Sequence, residues 1–144
     1  MPTIRTSFLL FFLSLALTAP AWGEMRKVFV PLDADGVQRV EIVGGEYFFD
    51  PGHLVVKVNI PVELKVRKES WIVPHNITAN SPEAGIVFEE SLGRDPTVIR
   101  FTPTKPGKYP IYCSKKPPFL ASHREKGMEG VIEVVEELPA QKSP

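Results

Sequence analysis

A single cysteine, Cys113, stands in 144 residues, so no intramolecular disulfide can form. Histidine is nearly as scarce, with His53, His75 and His123 the only three. Charge of either sign is not in excess: 17 Lys and Arg balance 17 Asp and Glu. That excludes the basic footprint of a nucleic-acid or polyanion binder. The longest apolar run, Phe8 to Leu17, spans ten positions, well short of the roughly 20 that cross a bilayer as a helix. There is no internal repeat, no helical heptad and no low-complexity tract. What is abundant is punctuation. Fifteen prolines and ten glycines point to a turn-rich chain rather than a helical bundle.

Arg5, the apolar run and the small residues Ala21 and Gly23 make a positive region, a hydrophobic region and a cleavage site in that order. Residues 1–23 therefore read as a signal peptide, removed rather than kept as an anchor. The mature chain is expected to start near Glu24, in the periplasm or otherwise exported, as a monomer with no stable membrane insertion. A lone thiol in an oxidising compartment is a liability unless something occupies it. A bound metal is one occupant; an inert buried thiol and an intermolecular disulfide are the other readings.

The mature chain reads as short strands between turns. Val62 to Arg67 alternates apolar with charged residues, the clearest half-buried strand. Val37 to Val43, with Val40 and Ile42 alternating, and the short runs Leu54 to Val58, Thr97 to Thr102 and Gly130 to Glu136 read as strands as well, and Lys108 to Cys113 leads into the loop that carries the cysteine. Trp71 to Ile77 is a further apolar piece, broken by Pro74. Thr78 to Asp95 reads as an irregular connection, with a brief pairing at Ile86–Phe88 or a helical turn between about Glu83 and Leu92. Seven to eight such strands predict an all-β fold, a Greek-key antiparallel β-sandwich. Residues 24–36 form an N-terminal extension, 37–136 the domain and 137–144 a flexible tail.

The residues that carry chemistry lie close together at the C-terminal side. Nine residues separate Cys113 from His123, and Met128 follows five positions after His123. A thiolate, an imidazole and a thioether on one loop are donors that copper takes, and one more imidazole would complete a type 1 set. His75, at the end of an apolar strand in Pro74-His75-Asn76, is the candidate. Glu89, Glu90 or a water competes with Met128 for the axial position. His53, in the turn Asp50-Pro51-Gly52-His53, reads as solvated. Asn76-Ile77-Thr78 also matches a glycosylation sequon.

From Val37 to Glu136 the chain resembles the cupredoxins, the small blue copper proteins such as plastocyanin and pseudoazurin. The resemblance rests on Pro74-His75-Asn76, the Gly107-Lys108-Tyr109 turn before Tyr112-Cys113-Ser114, the His123-x4-Met128 spacing, Gly130-Val131-Ile132 after it, and Phe48-Phe49 before Pro51. It implies one copper ion cycling between Cu(I) and Cu(II). His75 and His123 would be the imidazole ligands, Cys113 the thiolate and Met128 the axial thioether. It also implies that the Asn76 side chain ties the His75 and Cys113 loops together. The departure is the loop: many relatives place the second histidine two to four residues after the cysteine. The nine residues here leave a blue, green, red or otherwise distorted site open.

Two functions follow as expectations. The first is an electron carrier between redox proteins, with no substrate chemistry, docking near Lys115, Lys116 and Phe119. The second is a periplasmic copper carrier or chaperone for oxidase assembly. A multicopper enzyme would need further histidine clusters, and only His53 remains. Cys-His hydrolysis fits neither the strand-rich pattern nor the methionine.

Overall fold

The computed structural model describes residues 25–139. The signal-peptide reading and the last residues of the tail lie outside them. Ten strands run in chain order: β1 (Lys27–Phe29), β2 (Gln38–Gly44), β3 (Phe49–Asp50), β4 (His53–Lys57), β5 (Val62–Lys68), β6 (His75–Ser81), β7 (Ile86–Leu92), β8 (Thr97–Phe101), β9 (Gly107–Tyr112) and β10 (Glu129–Val135). They form a six-stranded sheet, β1-β4-β10-β9-β6-β7, and a four-stranded sheet, β3-β2-β5-β8. The single helical element among the described residues is a 3-10 turn, Pro82–Ala84.

Alternation is what joins the sheets. On β5, Val62, Leu64 and Val66 are buried while Lys65 between them is exposed. These side chains meet Leu54, Ile77, Ile111 and Ile132 in one continuous core. Each large aliphatic side chain taken out of water there contributes roughly 1.5–3 kcal/mol. The β6 strand is buried along nearly its whole length, polar residues included: His75, Asn76, Thr78 and Ser81.

Four expectations are corrected. The sandwich is mixed rather than antiparallel throughout, because β1 with β4, β4 with β10, and β2 with β5 run parallel. Hydrophobic period sets which face a residue takes and carries no information on strand direction. Residues 27–29, read as part of an extension, form the edge strand β1. The irregular stretch after Thr78 is the β6–β7 pair, in register over seven residues. Its polar sequence hides a strand pair at the sheet edge, and the expected helical turn shrinks to Pro82–Ala84. Trp71 and Ile72, read as part of an apolar strand, are 78% and 91% exposed, because the strand starts only after Pro74.

Candidate metal centre

Three strands deliver the site. β6 begins at His75, β9 ends one residue before Cys113, and β10 begins one residue after Met128. The register pairs Tyr112 with Glu129 on β10 and with Thr78 on β6. These strand ends therefore lie side by side at one end of the six-stranded sheet. His123 comes from the loop, and a backbone circuit holds it there. His123 N–H donates to Lys115 O (2.9 Å), Met128 N–H to His123 O (2.9 Å) and Cys113 N–H to Met128 O (3.0 Å). A capping box orders the turn that follows: Ser122 N–H and Oγ–H both donate to Glu125 Oε2 at 2.7 Å, and Glu125 N–H returns to Ser122 Oγ. Those bonds hold the Glu125 carboxyl below its ordinary range. Ser122-x-x-Glu125 was the sequence signal that this long loop is ordered.

The structure brings His75, Cys113 and His123 together. Their donor atoms lie within 4.8 Å of one another, and all three residues are buried. His75 Nδ1 is 3.1 Å from His123 Nδ1, and Cys113 Sγ is 3.5 Å from the same His123 nitrogen. Two facing Nδ1 atoms at that distance share at most one proton when the rings are neutral. Burial keeps them neutral. Desolvation first, then the neighbouring His123 and Lys68, push the His75 pKa down to about 4. Desolvation first, then Lys126, lower that of His123. Neutral imidazoles beside a thiol are the donor set of a copper or zinc site. The arrangement is positioned to hold one metal ion. His75 Nε2 is buried without a hydrogen-bond partner among the described residues, so the ring's polar contact is on its Nδ1 side alone.

Around this cluster Asn76 ties the loops. Its backbone N–H points at Cys113 Sγ (3.5 Å), its Nδ2 donates to Ser114 Oγ (2.7 Å) and Glu89 Oε1 (2.9 Å), and its Oδ1 accepts from Ser114 N–H (2.8 Å). Asn76 is 1% exposed, which suits this tether and not a glycan. Glu89, a competitor for the axial position, is committed to Asn76. Met128 is wholly buried, and its Cε lies 3.4 Å from where a Cβ on Gly44 would stand. His53 is not part of the cluster. It is the first residue of β4, half-buried rather than solvated, with Nε2 2.6 Å from Glu133 Oε2.

Tyr47 was missed by sequence reasoning, since nothing in a lone tyrosine after Gly44-Gly45-Glu46 points to a site. Its ring stands edge-on to both histidines. Outside it lies a surface depression of about 490 Å³, lined by Tyr47, His123, Ile72, Pro74, Pro117, Pro118 and Leu120 with Lys115, Lys116 and Lys126. Phe119, at φ 61°, is fully exposed close by.

No family model matches this sequence, and no curated protein does. Solved structures do. The metal-binding domain of the Cu(I)-exporting P-type ATPase CopA of Streptococcus pneumoniae, solved with Cu(I), is 27% identical at TM-score 0.58, covering 79% of this chain and all of that domain. A copper-binding protein solved in its apo form is 18% identical at TM-score 0.55, covering 77% of this chain and 99% of that one. Auracyanin A, a "blue" copper protein of Chloroflexus aurantiacus, is 21% identical at TM-score 0.53, covering 69% of this chain and all of that one.

Proposed function

The chain has the cupredoxin fold, and from that premise we propose that it is an exported one-electron carrier with a mononuclear copper centre at His75, Cys113, His123 and Met128. One observation carries the reading: two imidazoles kept neutral by burial and the only thiol converge as a buried cluster, His75 and Cys113 from strand ends and His123 from the loop. Copper bound there would supply a Cu(I)/Cu(II) couple. The protein's part is to hold the donors. His75 and Cys113 are anchored to β6 and β9, and His123 is carried by the backbone circuit through Met128. Met128, wholly buried, would add its thioether. The Asn76 N–H aimed at Cys113 Sγ would draw charge off the thiolate and so help set the potential. Donors anchored in this way would keep reorganisation between the two oxidation states small. Substrate chemistry is not part of the proposal, since the remaining histidine, His53, is engaged with Glu133.

The partner would be an acidic redox protein docking on the depression beside His123. Lys115, Lys116, Lys126 and the exposed Ile72 line it, and Phe119 stands exposed close by. Complementary charge speeds such encounters at low salt.

The test is an optical and EPR spectrum of the copper-reconstituted protein with its voltammogram. An intense thiolate-to-copper band, abolished in Cys113→Ser, and a reversible couple are expected. Copper bound without that band and without a reversible couple would refute electron carriage. The likeness to the Cu(I)-exporter domain favours a second reading, a copper carrier that hands its ion to an acceptor. Transfer of Cu(I) to a chelator within seconds, rather than over hours, would decide for it.

A further inference from the structure

Metal-binding histidines ordinarily have the far ring nitrogen hydrogen-bonded, which fixes the ring's orientation. His75 lacks this, for its Nε2 is buried with no partner among the described residues. Something else must hold the ring, and Tyr47 is in place to do so. Its ring centroid is 6.1 Å from that of His75 at 88°, and 5.1 Å from that of His123 at 78°. Both are the edge-to-face geometry in which aromatic pairs attract. Lys126, from the His123 loop, closes over it. The Lys126 Nζ lies 4.4 Å from the Tyr47 ring centroid and donates to Tyr47 Oη at 3.2 Å.

The backbone bears the same mark. Tyr47 sits in the β2–β3 turn at φ 65°, a left-handed conformation that a bulky side chain keeps only where its surroundings over-determine it. That turn joins two strands of the four-stranded sheet, whereas His75 begins a strand of the other sheet and Cys113 directly follows one. The inner side of Tyr47 packs on the core and its outer side lines the depression.

We propose that Tyr47 is a positioning residue of the metal centre: fastened by Lys126, its ring braces the two imidazoles as a pair and shields the donor cluster from solvent. This rests on the copper reading above only where copper is the readout. The brace does not require the Tyr47 hydroxyl, so Tyr47→Phe keeps most of it. Tyr47→Gly removes it while giving the turn a residue at ease with positive φ, so this variant is expected to fold.

The experiment uses the full chain as wild type, Tyr47→Phe, Tyr47→Gly and Tyr47→Leu. In the copper-loaded proteins, Cu(I) release to a chelator is expected to stay near the wild-type rate in Tyr47→Phe. In Tyr47→Gly and Tyr47→Leu it should rise by about 10-fold or more, the scale of a lost supporting residue around a metal, with an altered EPR hyperfine splitting. In the metal-free proteins, the His75 and His123 ring signals in NMR should stay single and sharp in Tyr47→Phe and broaden by ring exchange in Tyr47→Gly. Equal release rates and unchanged ring signals in all four proteins would overturn the proposal, as would a Tyr47→Phe variant as loose as Tyr47→Gly. If the wild type takes no copper, the copper reading fails by itself and the metal-free NMR still decides the brace.

Discussion

Replacing Asn76 by Ala should be the sharpest single perturbation of the scaffold around the cluster. It deletes three side-chain hydrogen bonds, to Ser114 Oγ, to Glu89 Oε1 and from Ser114 N–H. It leaves the backbone N–H that faces Cys113 Sγ. A typical hydrogen bond contributes roughly 1 kcal/mol net, so three contribute about 3 kcal/mol. Ser114 is exposed, and water can replace part of its share, which brings the expected loss to about 2 kcal/mol. For a domain of this size that is a fall in Tm of about 8 °C. Urea unfolding of the metal-free protein is the assay. Asn76→Asp sharpens it. The new carboxylate still accepts from Ser114 N–H, but it faces the Glu89 carboxylate across what was a 2.9 Å hydrogen bond. Two carboxylates so placed cannot both ionise cheaply, and the introduced group's pKa rises in the fold. Its protonated form is then favoured in the fold, so the variant should recover stability as the pH falls and lose it as the pH rises. At neutral pH it should be no more stable than Asn76→Ala. An Asn76→Ala protein within about 0.5 kcal/mol of wild type, the range of neutral surface changes, would refute the tether.

Other predictions separate packing from chemistry. Met128→Leu conserves volume in a wholly buried position and should cost less than about 1.5 kcal/mol in the metal-free protein, yet change the spectrum of the copper-loaded one. Unchanged spectra would remove Met128 from the donor set. In the metal-free protein, His75 stays neutral down to about pH 4, while in the unfolded chain it titrates near 6.5. Its contribution to stability is thus complete above about pH 6.5 and lost as the pH falls to about 4. Urea midpoints across that window should fall less steeply in His75→Gln. Gly130→Ala would drive a Cβ into the Gly52 carbonyl, against which β10 is hydrogen-bonded through Val131 N–H. An overpacking loss of about 1–3 kcal/mol in the same assay is expected. Lys115→Glu with Lys116→Glu should slow association with an acidic redox partner most at low salt, and stopped-flow rates that ignore both charge and salt would sink the docking face.

Much of the fold was legible because its strands advertise themselves. β5 alternates strictly, β2 alternates at Val40 and Ile42, and β8 and β10 are short runs rich in β-branched residues, so each reads as a strand. β6 and β7 were not legible as a pair. Their ladder runs through Asn76, Thr78, Asn80, Glu89, Glu90 and Ser91, residues whose buried or edge placement a propensity reading does not expect. The parallel pairs were equally hidden, since they depend on crossings between sheets.

The candidate site was legible for a different reason, which is scarcity: one cysteine and three histidines leave few combinations. Sequence alone determined the chemistry of the donors and their order along the chain, because side-chain identity is what sets affinity for a soft or borderline metal. Only the tertiary structure decided that His75 and His123 face each other beside Cys113 while His53 turns to Glu133. It also decided that Tyr47, from the other sheet, lies against both rings. Those outcomes depend on which strand ends share an edge and on what burial does to an imidazole, and neither is written at any one position of the chain.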